Sequence, residues 1–140
     1  MNATTTAAPR RRGLNIVLAL VQIVLAFAFG AAGLMKLTQP IEALAASMPW
    51  VSAVPSALVR SIGLAELAGA LGLILPWLTR IKPQLISLAA IGLILVMVLA
   101  SAFHLSRGEA GAVPVNVVLA ALAAFVAWGR SKAAPIQPRA

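Results

Sequence analysis

The segment RSIGLAELAGALGLILPWLTR, from Arg60 to Arg80, is the most informative part of the chain about its fold, because between its two arginines it carries one charged residue, Glu66. As an α-helix, the residues between the arginines span roughly 28 Å, about the thickness of the hydrocarbon core of a bilayer. A carboxylate at that depth costs at least ~2–3 kcal/mol unless it is protonated, paired or hydrated. The stretch therefore predicts a membrane-spanning helix that carries one polar site.

Three further uncharged runs are long enough to cross a membrane. They cover residues 13–35, 83–103 and 110–129. The first run follows three arginines and has two interpretations, a cleaved signal peptide or an uncleaved span. We expect an uncleaved span, because the apolar run continues through Leu34, beyond the length of a usual signal-peptide core.

A short amphipathic segment separates the first two spans. Pro40 suits the first turn of a helix, and Ile41, Leu44, Ala45 and Met48 then follow at helical spacing. We therefore predict an all-α fold, a transmembrane four-helix bundle with a short interfacial helix between spans 1 and 2.

The basic residues predict the domain limits and the orientation. Residues 1–13 are expected to form a disordered basic N-terminal tail, residues 14–129 the four-span domain and residues 130–140 a C-terminal tail. The two terminal segments and the loop between spans 2 and 3 carry eight Lys and Arg residues, and the two other loops carry three. Because cytoplasmic segments are enriched in cations, we expect both termini in the cytoplasm.

Composition limits the chemistry of the chain. Only 10% of its 140 residues are charged, against about 25% in soluble domains. There is no Cys, there is one His, and the acids are Glu42, Glu66 and Glu109, so we predict no metal site, no cofactor and no catalytic residue. The net charge of +8 does not indicate nucleic-acid binding, because the cations flank the apolar runs and no aromatic residues are interleaved with them.

Every span contributes a polar group near one level of the membrane. The candidate ligand- or proton-binding residues are Glu66, Lys36, His104, Arg60 and Asn116. A buried carboxylate requires a cation or a donor, and Lys36, His104 and Asn116 are the candidate partners. Three interpretations stay open. They are a structural pair that fixes helix register, an outward-facing pocket for a small molecule, a quinone headgroup or a proton, and a protonated Glu66 with no strong partner.

Glycines in the first two spans are interpreted as helix-packing residues, because a small residue allows a neighbouring helix to approach closely. These glycines are Gly30, Gly33, Gly63, Gly69 and Gly72.

Three motifs resemble the DoxX-like family of small four-span bacterial membrane proteins. They are FGAAGLMKL at residues 29–37, GLAELAGALGL at residues 63–73, and the end of span 3 at residues 100–104. The likeness covers residues 16–128 and implies the four-helix fold and the bacterial inner membrane. It implies little chemistry, since some relatives are subunits of membrane oxidoreductase assemblies that deliver electrons to quinone and the family has no agreed catalytic residues.

Two functions follow, and an enzyme that acts alone is the least favoured third. The first is a non-catalytic accessory subunit of a membrane complex, linked to redox or quinone chemistry. The alternative is binding or transport of a small molecule or proton through an outward-facing polar pocket around Glu66. The expected partners are the lipid bilayer and, as alternatives, other subunits of a membrane complex, a quinone or a second copy of the chain.

Overall fold

Five α-helices form most of the computed structural model, which describes residues 8–139. In chain order they are α1 (Ala8–Thr38), α2 (Ile41–Ser47), α3 (Ser56–Thr79), α4 (Leu85–Ser106) and α5 (Val113–Trp128). Shorter helical turns are of the 3-10 type at Pro49–Ala53 and Ala110–Ala112, and of the π type at Gly129–Ala133.

Four helical segments are long and apolar enough to cross a membrane, namely α1, α3, α4 and the stretch Ala110–Ala133 around α5. Their outward faces carry large apolar side chains that are exposed all around the bundle, as a lipid-facing surface requires. Examples are Phe27, Leu64, Leu88, Leu95 and Val117. The predicted all-α fold with four spans is confirmed.

The four long helices close around one apolar core. Helix α3 lies between α1 and α4, while α5 packs against α4 and also contacts α1. The core is built from the inward faces of all four, with Leu25, Phe29, Leu73, Leu93 and Val126 fully or almost fully buried.

Helix α2 and the 3-10 turn after it cover one end of the bundle. Leu44 of α2, Val51 of the turn and Val59 of α3 are fully buried against one another. The predicted stripe is therefore the buried face of this short helix, and its side chains Ile41, Ala45 and Met48 pack around that cluster.

Helices α1 and α3 approach each other closely at two glycines. A methyl group added to Gly33 would lie 2.7 Å from the carbonyl oxygen of Gly63, and one added to Gly63 would lie 2.8 Å from the Cβ atom of Lys36. No L side chain fits at these separations, so both positions require glycine. This contact brings the end of α1 against the first half of α3, where Glu66 lies.

The other predicted packing glycines also face neighbouring helices. A Cβ atom at Gly72 would lie 2.7 Å from the side chain of Ala89, and one at Gly69 would overlap Leu93. Gly30 is different, because its added Cβ atom would make an ordinary 3.6 Å contact with Ala70.

The chain ends differ from the sequence-based limits. Helix α1 begins at Ala8, so residues 8–13 of the predicted disordered tail are helical, and residues 1–7 lie outside the described residues. At the other end, the π turn continues beyond residue 129, and Arg130, which was assigned to a C-terminal tail, is buried.

Candidate functional site

A buried ion pair joins α1 to α3. Lys36, in the last turn of α1, donates a hydrogen bond from Nζ to Oε2 of Glu66 over 2.7 Å, and their side chains are 6% and 5% exposed. The guanidinium group of Arg60 donates to the backbone carbonyl of Lys36, which has no helical partner at the end of α1. Of the three candidate partners of Glu66, Lys36 is therefore the one in contact.

A cavity of about 420 Å³ lies beside this pair, between α3, α4, α5 and the 3-10 turn at Pro49–Ala53. Most of its wall is apolar, and it includes Trp50, Ile62, Met97, Ala100 and Phe103. Its polar groups belong to Lys36, Ser61, Glu66, His104 and Asn116. Four of the five residues predicted as a binding site thus line one cavity. Arg60, which belongs to α3, does not line it and contacts the end of α1 instead.

Asn116 has an unpaired hydrogen-bond donor. The residue is 8% exposed, and its Nδ2 atom has no hydrogen-bond partner within residues 8–139. An unpaired buried donor costs about 1–3 kcal/mol. Asn116 is also one of the residues that line the cavity.

His104, one of the three candidate partners of Glu66, pairs with Glu109 instead. Its Nδ1 atom lies 2.7 Å from Oε2 of Glu109, and Arg107 donates from Nε to the other carboxylate oxygen over 2.8 Å. These two bonds, that from His104 first, lower the pKa of the Glu109 carboxyl below its ordinary value. Because the acceptor is a carboxylate, Nδ1 carries a proton, and the ring packs edge-on against Trp50 and Phe103.

Glu109 was not among the predicted site residues. The sequence signal was present, since Glu109 follows His104 by five residues across the end of α4, where the chain turns back. Of the cluster of His104, Arg107 and Glu109, His104 lines the cavity. Within residues 8–139, no group of three or more His, Cys, Asp or Glu side chains is arranged to hold a metal ion.

A second polar network, also absent from the sequence analysis, lies near the other end of the bundle. Arg130 donates from Nε to Oε1 of Gln22 over 2.6 Å, and Gln22 donates from Nε2 to the carbonyl oxygen of Leu73 over 2.7 Å. Gln22 is the one polar side chain between Asn15 and Lys36, which was the signal in the sequence for this network.

The family model described as the DoxX-like family matches residues 20–126. The chain belongs to the DoxX-like family. The match contains the whole wall of the cavity, from Lys36 to Asn116. Together with its four apolar spans, membership makes this DoxX-like protein an integral, multi-pass membrane protein. Comparisons with curated proteins and with solved structures gave no match.

Proposed function

We propose that this DoxX-like protein binds a lipophilic small molecule whose polar headgroup carries a hydrogen-bond acceptor. The observation that carries the proposal is a cavity of about 420 Å³ whose wall includes Asn116, a residue whose buried Nδ2 atom has no hydrogen-bond partner among the described residues. Small-molecule sites are mostly apolar concavities of roughly 300–1,000 Å³ with a few convergent polar groups. The cavity fits that description in size and in lining.

The surroundings of the cavity indicate the class of ligand. Leu58 and Leu99 line it and are also exposed on the outside of the bundle, where the bilayer lies. A ligand that enters between such side chains comes from the lipid phase. It has an apolar body, and its headgroup stays beside the ion pair and Asn116.

A quinone headgroup satisfies these requirements. Its carbonyl oxygens accept hydrogen bonds but donate none, so one of them suits Nδ2 of Asn116 once the amide turns toward the cavity. The ring packs between apolar and aromatic walls, including Trp50 and Phe103. The charges of Lys36 and Glu66 compensate each other, so a neutral ligand beside them needs no counter-ion.

The accessory-subunit interpretation stays a prediction beside this binding role. A protein that holds a lipophilic redox carrier suits a place next to a membrane oxidoreductase. The cation distribution supports cytoplasmic termini in a bacterial inner membrane, and with that orientation the cavity lies toward the outer face.

The cavity contains its own reporter, because Trp50 is part of its wall. We would replace Trp77 and Trp128 with Phe, reconstitute the protein in nanodiscs, and titrate a benzoquinone that carries one isoprenyl unit. Saturable quenching of Trp50 fluorescence is expected. Asn116→Leu, which keeps the volume but removes the donor, should weaken binding about 2- to 13-fold, the equivalent of one hydrogen bond of 0.5–1.5 kcal/mol.

A matched pair of substitutions on α4 distinguishes the cavity from the lipid around it. Ala100 lines the cavity, whereas Ala102 is exposed on the outside. Ala100→Phe should abolish the saturable quenching, and Ala102→Phe should leave it unchanged. Equal quenching in both variants would show that the quinone reaches Trp50 from the bilayer and would refute the proposed site.

A further inference from the structure

A basic cleft of about 600 Å³ lies at the opposite end of the bundle from the ion pair. Its wall carries four arginine side chains, Arg11 and Arg12 from α1, Arg80 after α3, and Arg130 from the π turn. No acidic side chain among the described residues lines it. Four cations around one opening form a site of strong positive potential.

Arg130 is the side chain of this cleft that is buried and held in place by hydrogen bonds. It is 5% exposed, and its bonds go to neutral oxygens: Nε donates to Gln22 over 2.6 Å, and Nη1 donates to Oδ1 of Asn15 over 2.7 Å and to the carbonyl of Ala134 over 3.3 Å. No salt bridge of the described residues involves Arg130. A buried guanidinium group held by neutral acceptors lacks a counter-charge, and its Nη2 donors have no partner in residues 8–139.

The remaining wall of the cleft is apolar and faces the membrane. Trp77 and Ile136 line it together with Ile16, which is exposed on the lipid-facing side of α1. A ligand that fits both parts has an anionic phosphate group for the arginines and an apolar body for the wall. Arginine is the residue best suited to bind phosphate through two parallel hydrogen bonds.

From this charge distribution, we propose that the basic cleft is a binding site for the phosphate headgroup of an anionic phospholipid. The phosphate lies between Arg12, Arg80 and Arg130, and the acyl chains run along Ile16 beside Trp77. The site shares no lining residue with the cavity at Asn116, so the lipid site can be refuted without affecting the proposed quinone site. It is an attachment of lipid to the protein, beyond the general preference of cationic segments for the cytoplasmic leaflet.

Two tryptophans make the cleft measurable against bulk lipid. Trp77 lines the cleft, whereas Trp128 at the end of α5 is 53% exposed and is not part of its wall. The full chain with Trp77 or Trp128 as its single tryptophan, the others replaced by Phe, is reconstituted in phosphatidylcholine vesicles. Brominated phosphatidylglycerol, which quenches tryptophan on contact, then replaces part of the lipid, and brominated phosphatidylcholine serves as the reference.

The expected result is a preference of about fivefold or more for phosphatidylglycerol at Trp77, since each cation near an anionic lipid contributes about that factor. No comparable preference is expected at Trp128. The double variant Arg12→Gln and Arg80→Gln should reduce the preference at Trp77 to the value at Trp128. The matched double variant Lys82→Gln and Lys132→Gln, which removes the same charge outside the cleft, should leave it unchanged.

Two outcomes would overturn the proposal. Equal lipid preference at Trp77 and Trp128 would mean that the cleft has no site of its own. A change in Trp77 fluorescence on addition of inorganic phosphate, but not of chloride at equal ionic strength, without any preference for phosphatidylglycerol would mean that the arginines bind free phosphate and not a lipid. Arg130→Lys gives a further readout, because it keeps the charge, loses the forked geometry and should weaken the preference without abolishing it.

Discussion

Removal of one partner of the Lys36–Glu66 pair should cost far more than removal of both. The two charged atoms lie 2.7 Å apart, so at an effective dielectric constant of 20 their attraction is about 6 kcal/mol. Burial of the two groups offsets much of that attraction. What remains after a single substitution is an uncompensated buried charge, which destabilises a protein by about 3–5 kcal/mol.

We therefore expect Glu66→Leu and Lys36→Met each to lower the free energy of unfolding by about 3–5 kcal/mol. The double variant should lie within about 1 kcal/mol of the parent, because an apolar pair of similar volume replaces the ions. The bond from Arg60 is retained in all of them, since it uses the backbone carbonyl of residue 36.

The free energy of unfolding is measured in mixed micelles by titration with a denaturing detergent, with helicity followed by circular dichroism. The matched control adds His104→Leu to Glu66→Leu, and no recovery is expected, because His104 pairs with Glu109. The free energy of unfolding lost in the Lys36–Glu66 double variant could instead equal the sum of the two single losses. That result would contradict the pairing.

Three further predictions follow from individual positions. Asn116→Leu should raise the free energy of unfolding by about 1–3 kcal/mol in the same detergent titration while it weakens quinone binding, because it removes an unpaired buried donor; equal or lower stability would contradict this. Gly33→Ala should lower that free energy by about 1–3 kcal/mol through overpacking, whereas Gly92→Ala, whose added methyl group meets nothing within 4 Å, should raise it by about 0.5–1 kcal/mol; similar values for the two would argue against the close helix contact. Since the folded-state pKa of Glu109 is depressed, chiefly by the hydrogen bond from His104, its stabilising effect is present above the ordinary carboxyl pKa and is lost as pH falls through the folded-state value. Unfolding measured across the acidic range should therefore show a smaller loss of stability in Glu109→Gln than in the parent, and identical pH profiles would exclude this contribution.

The four spans were predictable because their cause is local. The hydrocarbon thickness of a bilayer requires a minimum length of apolar helix, and each run of residues meets that requirement by itself. The short helix after Pro40 was predictable for the same reason, since its stripe of apolar residues has the helical period. The structure confirms these elements, with ends that differ by a few residues.

The partner of Glu66 was not predictable to the same degree. Lys36, His104 and Asn116 all lie near one level of the membrane, and hydropathy does not distinguish among them. The choice depends on the contact between Gly33 and Gly63, which brings the end of α1 against α3. With Lys36 beside Glu66, Nδ2 of Asn116 has no hydrogen-bond partner among the described residues, and His104 pairs with Glu109 in the following loop.

The number of membrane crossings can be read from the amino-acid sequence, because each crossing depends on a continuous run of apolar residues. Which polar groups meet depends on how the helices pack. Arg130 belongs to a charged C-terminal stretch in the sequence, yet it is buried against Gln22 and Asn15, which lie 108 and 115 residues earlier. Such pairings arise from the packing of helices that are distant in the chain, and no local period or composition encodes them.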